Sequence, residues 1–359
     1  MKTLPPSLVD VISNIKRCEA RHATQARHRL DSLTKPIGSL GRLETLAVQF
    51  FSIYPGNIPL PLRRGVYVFA ADHGVVAEGV SAYPPEVTAQ MVRNFLTGGA
   101  AINVLARLHE AELTVIDVGV DADFNGTPGL ECAKVRRGSR NMRREPALSY
   151  DEVAAAIEVG IRMAAKASEK GEHLVAVGEM GIGNTTSASA ITSLVTRLPP
   201  GEVTGRGTGL DMAGKNRKLN IIRRSLQLHF ETEAAIPEPL EILRCVGGLE
   251  IAAMTGFILA AAAKRMAIVC DGFISTAAAA IAFRMAPEIQ EYLFAGHCSD
   301  EPGHRHLLKH IGLTPILNLG MRLGEGTGAV LAMPVIESAV WLFSEMATFS
   351  TAGVSKANE

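Results

Sequence analysis

The chain has 359 residues, of which 47% are apolar and 20% charged, a composition that supports one or two domains with a sizeable core and excludes a disordered protein. Its 36 Lys and Arg residues balance its 36 Asp and Glu residues, so the whole chain has no electrostatic field that would attract nucleic acid or an anionic membrane. Any phosphate site must therefore be local, built from backbone amides and one or two cations.

The five cysteines are scattered and form no Cys-x-x-Cys pair, which argues against a zinc ribbon or a disulfide scaffold and fits a reducing compartment. The N-terminus has no apolar segment of signal-peptide length. The most apolar stretch, residues 251–263, is followed by Lys264 and Arg265 and is too short to span a membrane, so it predicts a buried helix. Together these features predict a soluble, cytoplasmic protein.

In chain order, residues 1–60 have a helical pattern rich in Arg and His. After them, short apolar runs alternate with longer helical stretches, which predicts an α/β fold with a mostly parallel sheet. Residues 328–346 are again apolar and helical, and the two chain ends are expected to pack together as a small helical domain beside the sheet. The predicted strands are residues 65–71, 113–120, 174–178 and 267–271, with weaker candidates at 292–295 and 316–319.

In such a sheet, ligands bind outside the carboxyl ends of the strands, so the residues after each run are candidates for the site. The segment 321–329 places Glu325 between two glycines, just before an Ala-rich helical run. The glycines allow a tight turn and leave room for a ligand against Glu325, whose carboxylate could act as a general base. Alternatively, Glu325 caps the helix or pairs with Arg322.

Two further glycine-rich loops, residues 178–186 and 205–211, each precede a helix. Backbone N–H groups at the start of the first helix could hold a phosphate, although Asn184 or Thr185 could equally serve only as its N-cap. The second loop precedes a basic helix. Either this loop is a flexible surface segment before a solvated helix face, or one Lys of the helix reaches back to a phosphate.

Asp72 and His73 follow the first strand and suggest a metal or acid–base site, but no His-x-His, HExxH or second carboxylate completes a metal shell. Hydrogen bonding at the strand end is the favoured interpretation. The histidines between residues 297 and 310 match no zinc spacing and are interpreted as surface or loop residues. The arginines of residues 136–144 are interpreted as part of a solvated loop, because no aromatic residues alternate with them.

Several motifs recur together, in this order, in one family. They are Lys35-Pro36-x-Gly38-Ser39-Leu40-Gly41-Arg42-Leu43-Glu44, Ala71-Asp72-His73-Gly74, Glu86-Val87-Thr88-Ala89-Gln90, Gly178-Glu179-Met180-Gly181-x-Gly183-Asn184-Thr185-Thr186, Val246-Gly247-Gly248, Asp271-Gly272-Phe273 and Arg322-Leu323-Gly324-Glu325-Gly326-Thr327-Gly328. From about residue 30 to residue 345, the chain resembles the nicotinate-nucleotide:5,6-dimethylbenzimidazole phosphoribosyltransferases, enzymes of cobalamin lower-ligand assembly. The resemblance implies a Rossmann-like parallel sheet flanked by helices over residues 61–328. It also implies a small helical domain built from residues 1–60 and 329–359.

The resemblance implies a reaction between nicotinate mononucleotide and dimethylbenzimidazole that yields α-ribazole 5′-phosphate and nicotinate, with inversion at the anomeric carbon. The general base of the family falls on Glu325. A homodimer is implied, and no cofactor, metal ion, nucleic acid or membrane partner is expected.

The family's binding residues carry over onto matching positions of this chain. The benzimidazole pocket is expected to include Tyr83, Gln90, Met91 and Leu323 beside Glu325. The nucleotide side is expected to use Glu179, Gly181, Gly183 and Gly207, with Lys218 and Ser299 for the phosphate.

Two other classes of function stay open at this point. One is a metal-dependent phosphohydrolase that uses Asp72, His73 and Asp271. The other is a non-catalytic regulator that binds a nucleotide on the same fold.

Overall fold

The structure is a computed structural model that describes residues 5–355 except 57, 59, 125 and 231–235. Within these residues, seven parallel strands form a sheet in the order β3-β2-β1-β4-β5-β6-β7. The strands are β1 (Arg64–Ala71), β2 (Ala111–Gly119), β3 (Leu130–Cys132), β4 (Leu174–Met180), β5 (Ala267–Cys270), β6 (Leu293–His297) and β7 (Pro315–Leu317). The predicted α/β fold with a parallel sheet is therefore confirmed.

All six predicted runs form strands, with bounds within a few residues of those expected. The central strands β1, β4 and β5 are almost entirely buried, because helices cover both faces of the sheet, and their sequences are accordingly continuously apolar. The sequence does not predict β3, because its three residues, Leu-Glu-Cys, are half-buried or exposed at the sheet edge and form no apolar run.

Helices fill the connections between the strands. They are α1 (Pro6–Asn14), α2 (Ala20–Ser32), α3 (Arg42–Ile53), α4 (Glu86–Leu96), α5 (Ala101–Leu108), α6 (Tyr150–Glu169), α7 (Asn184–Thr196), α8 (Pro200–Val203), α9 (Met212–His229), α10 (Pro239–Val246), α11 (Leu249–Ala263), α12 (Phe273–Met285), α13 (Pro302–Ile311), α14 (Thr327–Glu345) and α15 (Phe349–Ala352). Helix α11 is buried all round, as expected of residues 251–263. It packs closely on α6 because Gly160 and Gly256 lack side chains: a Cβ at Gly160 would lie 1.9 Å from the Ala253 carbonyl oxygen.

The chain ends meet at an isolated antiparallel bridge between Leu33 and Thr348. Helix α14 packs on α3, and it also packs on α5 and on strands β4, β5 and β6. By length and composition this helix could cross a membrane, but 61% of its most apolar stretch is buried inside the protein, which is typical of a core helix. The ends therefore contact each other as expected. The division into a small helical domain and a larger α/β domain stays a prediction.

The chain moves from β1 outward to β2 and β3, then returns to β4 on the other side of β1. This arrangement makes a topological switch point, and ligands of open α/β sheets bind outside the strand ends near such a point. The loops that follow β4, β5 and β6 meet at this edge and form the site described next.

Candidate active site

A cavity of about 350 Å³ opens at the carboxyl ends of β4, β5 and β6. It brings together most of the residues that the sequence predicts for the site. Those that line it are Tyr83, Met91, Glu179, Gly181, Gly207, Ser299, Leu323 and Glu325. These residues come from six separate segments of the chain, so only the fold makes them neighbours. Helix α4 contributes Val87 together with Met91, one helical turn apart.

Glu325 lies between the end of the sheet and the first turn of α14. Its φ of 65° is left-handed, and Gly324 and Gly326 on either side have φ of 89° and 87°. The side chain is 5% exposed, and its Oε2 accepts a hydrogen bond from the Ile102 N–H at 3.4 Å. Burial raises the pKa of Glu325, the Ile102 N–H lowers it, and the negative charge of Asp271 raises it. This carboxylate is therefore a stronger base than one in water.

Neither alternative for Glu325 is found in the structure. Gly326, not Glu325, occupies the N-cap position of α14. Arg322 donates to the carbonyl oxygen of Gly207 at 2.9 Å instead of pairing with Glu325. That bond ties the segment before α14 to the loop before α9, across the cavity.

Asp271 holds the Glu325 turn in place. Its carboxylate is 2% exposed and accepts three backbone hydrogen bonds from the start of α14. The donors are the N–H groups of Gly326, Gly328 and Ala329, at 3.0, 2.7 and 3.1 Å. A carboxylate at a helix N-terminus also interacts favourably with the helix dipole. Asp271 is thus occupied by backbone amides rather than available as a metal ligand.

Glu179 lies near the carboxyl end of β4 and is buried beside Glu325 and Gly324. Its carboxylate accepts a hydrogen bond from the side-chain amide of Asn184. Burial, with the negative charges of Asp271, Glu250 and Glu325, raises the pKa of Glu179 to about 8, although the Asn184 hydrogen bond lowers it. Gly324 must be a glycine here, because a Cβ would lie 2.3 Å from a Glu179 oxygen.

Lys218 is completely buried on α9, so the solvated helix face considered for this segment is wrong for this residue. Its ammonium group donates to the Thr185 hydroxyl at 2.8 Å, and a Cβ at Gly207 would lie 3.0 Å from its Nζ. Burial lowers the pKa of Lys218 to about 8, Glu301 raises it, and Lys215 lowers it. Lys218 is not part of the cavity lining; it lies beneath Thr185 and Gly207, which are.

Two other predicted residues also lie outside the lining. Gln90 is exposed on α4, next to Met91. Gly183 is the N-cap of α7 with φ of 95°, and a Cβ there would lie 2.6 Å from Val76. Gly183 therefore acts on the site through the backbone, because it lets the chain turn from β4 into α7.

The interpretation of the histidines as surface or loop residues is wrong for two of them. His297 ends β6, is 1% exposed and lines the cavity, with Nε2 3.7 Å from Asp271. His304 is fully buried on α13, where its Nδ1 accepts from the Ser299 N–H at 2.8 Å. Burial, together with the neighbouring His297, lowers the pKa of His304 to about 3. The two rings lie close together, with centroids 6.2 Å apart, but His297 lines the cavity whereas His304 accepts from the backbone of Ser299.

The expectation of hydrogen bonding at the end of β1 is confirmed. Asp72 accepts from the Asp121 N–H at 2.8 Å, and His73 lies 2.5 Å from Glu250. Among the residues described, no group of three or more His, Cys, Asp and Glu side chains is arranged to hold a metal ion.

Several apolar lining residues are absent from the predicted site, among them Phe273 and Ile274 at the start of α12. Phe273 ends the motif Asp271-Gly272-Phe273, which could have pointed to it, whereas Ile274 resembles any core residue and no sequence signal marks it. Val87 could have been found, because it lies four residues before Met91 on one helix face.

Comparisons with known proteins match nearly the whole chain. The family whose sequence model is described as "Phosphoribosyltransferase" matches residues 15–354. A nicotinate-nucleotide–dimethylbenzimidazole phosphoribosyltransferase from Geobacter metallireducens is 49% identical, over 98% of this chain and 99% of that protein. Another, from Desulforudis audaxviator, is 53% identical over 92% of this chain and 93% of that protein. The crystal structure of CobT from Thermus thermophilus superposes with a TM-score of 0.90 at 46% identity, covering 94% of this chain and 100% of that one.

Proposed function

This chain belongs to the family of nicotinate-nucleotide–dimethylbenzimidazole phosphoribosyltransferases, and we propose that it uses Glu325 as the general base of that reaction. One ring nitrogen of dimethylbenzimidazole attacks the anomeric carbon of nicotinate mononucleotide. The bond from that carbon to the pyridinium nitrogen breaks, and Glu325 takes the proton from the other ring nitrogen. The products are α-ribazole 5′-phosphate and nicotinate.

The observation that carries this proposal is the position of the Glu325 carboxylate in the cavity wall and its raised pKa. It is buried at the cavity wall, held in a left-handed turn between two glycines, and its pKa is raised by burial. A general base works best when its pKa approaches the operating pH, and positioned bases contribute roughly 10²–10⁴-fold to the rate.

The chemistry needs one base and no acid. The nicotinate nitrogen carries a positive charge while it is bonded to the ribose, so it leaves as a neutral ring nitrogen without protonation. The attacking benzimidazole would instead gain positive charge, which the transfer of its proton to Glu325 removes. Attack on the face opposite the leaving group inverts the anomeric carbon, and holding the two substrates in line adds a further contribution from proximity.

The lining contains both apolar and polar residues, and we assign them to the two substrates. We assign the benzimidazole to Tyr83, Met91 and Leu323, with Gln90 next to Met91 on α4. The nucleotide is assigned to the predicted lining residues Glu179, Gly181, Gly207 and Ser299, with Gly183 and Lys218 behind the lining. Lys218, whose ammonium group lies beneath Gly207, is our choice for the phosphate contact. A homodimer and a cytoplasmic location complete the proposal.

The test is the release of nicotinate from nicotinate mononucleotide, measured by chromatography with and without dimethylbenzimidazole. In the wild-type chain we expect release only when the base is present. Glu325→Gln keeps the shape of the side chain but cannot accept the proton, and we expect kcat to fall by at least about 10²-fold.

Glu337→Gln is the matched control. Glu337 is another buried carboxylate on the segment that follows Glu325, but it accepts from the Leu62 N–H and pairs with Arg64, away from the cavity. Its variant is expected to lower thermal stability and leave kcat unchanged. Release without dimethylbenzimidazole would indicate a hydrolase, and binding without turnover would indicate a regulator. Full activity of Glu325→Gln would reject Glu325 as the base.

A further inference from the structure

A string of three buried polar side chains runs beneath the cavity. His73 Nε2 lies 2.5 Å from Glu250 Oε1, and His73 Nδ1 lies 3.2 Å from the Ser187 hydroxyl. Ser187 in turn donates to the carbonyl oxygen of Gly247 at 3.3 Å. The three side chains come from the end of β1, the first turn of α11 and the first turns of α7. All are at most 3% exposed.

The hydrogen-bond directions fix the protons of this string. With the Ser187 hydroxyl donating to the carbonyl oxygen of Gly247, its oxygen is free to accept from a protonated His73 Nδ1. A second proton then lies between His73 Nε2 and Glu250. Burial alone lowers the pKa of His73, but the charge and hydrogen bond of Glu250 raise it above its ordinary value. The pair therefore stays joined by a proton and is neutral as a unit.

The string does not contact the cavity itself. Ser187, His73 and Glu250 are absent from the lining, so an attacking serine is excluded by its position. The string instead touches the loop that forms the cavity floor. A Cβ at Gly181 would lie 3.5 Å from the His73 ring, and one at Gly183 would lie 3.3 Å from His73 Cβ.

The same close packing is found on the other side of the ring. A Cβ at Gly248 would lie 2.3 Å from His73 Cε1 and 2.6 Å from Glu250. The imidazole is thus enclosed between the start of α11 and the loop 181–185. That loop presents Gly181, Asn184 and Thr185 to the cavity, where Asn184 also binds Glu179.

We propose that His73 and Glu250 are positioning residues, which hold the loop 181–185 in the conformation that binds the nucleotide. The identity of that nucleotide rests on the proposed function. The pair fixes three elements relative to one another through directed hydrogen bonds, which apolar packing of the same volume cannot do. Supporting groups of this kind hold binding residues within about 0.5 Å of their productive positions.

The test uses the double variant His73→Leu/Glu250→Met. Replacing a buried ion pair by apolar residues of similar volume is often neutral or stabilising, whereas removing one partner leaves a buried charge. We therefore expect the double variant to fold with a thermal midpoint near that of the wild type. Its KM for nicotinate mononucleotide should rise about tenfold, with a smaller change in kcat, since a misplacement of about 1 Å costs up to about 10²-fold.

Glu172→Gln is the control for a change in a buried carboxylate elsewhere. Glu172 accepts from the Tyr67 hydroxyl at 2.9 Å, at the opposite end of β1 from the cavity. This variant is expected to leave KM unchanged. A double variant that folds stably and keeps the wild-type KM would overturn the proposal, because packing alone would then suffice to place the loop.

A measurement that needs no turnover separates this inference from the proposed function. Amide hydrogen exchange in the unliganded protein should be faster at residues 181–187 in the double variant than in the wild type, while exchange in β5 stays the same. If the wild type releases no nicotinate, the proposed function fails, and the exchange rates still decide the role of the pair. Unchanged protection at these residues would contradict it.

Discussion

Glu325, at the cavity wall, has a left-handed backbone conformation, which is unfavourable for any residue other than glycine. A non-glycine residue in the left-handed region costs on the order of 1–3 kcal/mol and persists only where its surroundings hold it. Here the surroundings are the two flanking glycines and the three amides bound by Asp271. The residue assigned to the proton transfer is thus one of four described non-glycine residues with a positive φ, and the one of these that lines the cavity.

The burial of Lys218 leads to a prediction about the pH dependence of substrate binding. The pKa of its ammonium group is about 8, so the free enzyme loses this positive charge as the pH rises through that value. Only the charged form attracts a phosphate. We therefore expect KM for nicotinate mononucleotide to rise above about pH 8 in the wild type, as measured by initial rates between about pH 6.5 and 9.5.

Lys218→Met should raise KM at pH 7 and abolish its rise at higher pH. The folded-state pKa of Lys218 lies below its ordinary value of 10.5, so the wild type gains stability as the pH rises from about 8 towards 10.5. The Met variant should lack this gain and be more stable than the wild type at pH 7. Arg224→Met, on the exposed side of the same helix, removes the same charge and should reproduce none of these effects.

At the scale of elements, the start of α14 depends on a residue from another strand. Asp271 follows β5, and its carboxylate replaces the side-chain cap that α14 lacks. Asp271→Asn leaves one amide oxygen and places an N–H₂ group against backbone N–H groups. A lost hydrogen bond to a buried charged group costs about 1.5–3 kcal/mol, so we expect a lower thermal midpoint.

The same substitution should change the pH dependence of the reaction. The negative charge of Asp271 contributes to the raised pKa of Glu325, and removing that charge lowers the pKa. The acid limb of the kcat profile should therefore move to lower pH. Asp117→Asn is the control: Asp117 is a buried carboxylate near the end of β2 that accepts from the Val120 N–H and pairs with Lys134. It should lose stability without moving the acid limb.

The elements predicted correctly from sequence are those in which one physical pattern dominates. β1, β4 and β5 are buried on both faces, and their continuous apolar runs predict this burial. The tight turn at Glu325 is likewise predicted by the glycines on either side of it. The burial of His297 and of Lys218 is not visible in the sequence, because it depends on segments that are distant in the chain, such as Gly328 and Thr185. The raised pKa of Glu179 has the same origin.

At the scale of the whole molecule, α14 joins the site to the chain ends. Its first turn carries the amides bound by Asp271, and its last turn receives the guanidinium group of Arg29 from α2. Arg29 donates to the carbonyl oxygens of Phe343 and Ser344 at 2.6 and 2.8 Å, and lies 5.4 Å from the centre of the Phe343 ring. These carbonyls are among those that a helix end leaves without partners.

This connection predicts how the molecule unfolds. Because α14 packs on both α3 and the sheet, we expect the end helices and the sheet to unfold in one calorimetric transition. Arg29→Ala removes two charge-assisted hydrogen bonds and should shift that whole transition to lower temperature, by an amount corresponding to about 1–3 kcal/mol. Arg27→Ala, an exposed position of the same helix, should leave the midpoint nearly unchanged. If Arg29→Ala instead produces a separate early transition while nicotinate release persists, the end helices are an independent unit and the coupling through α14 is absent.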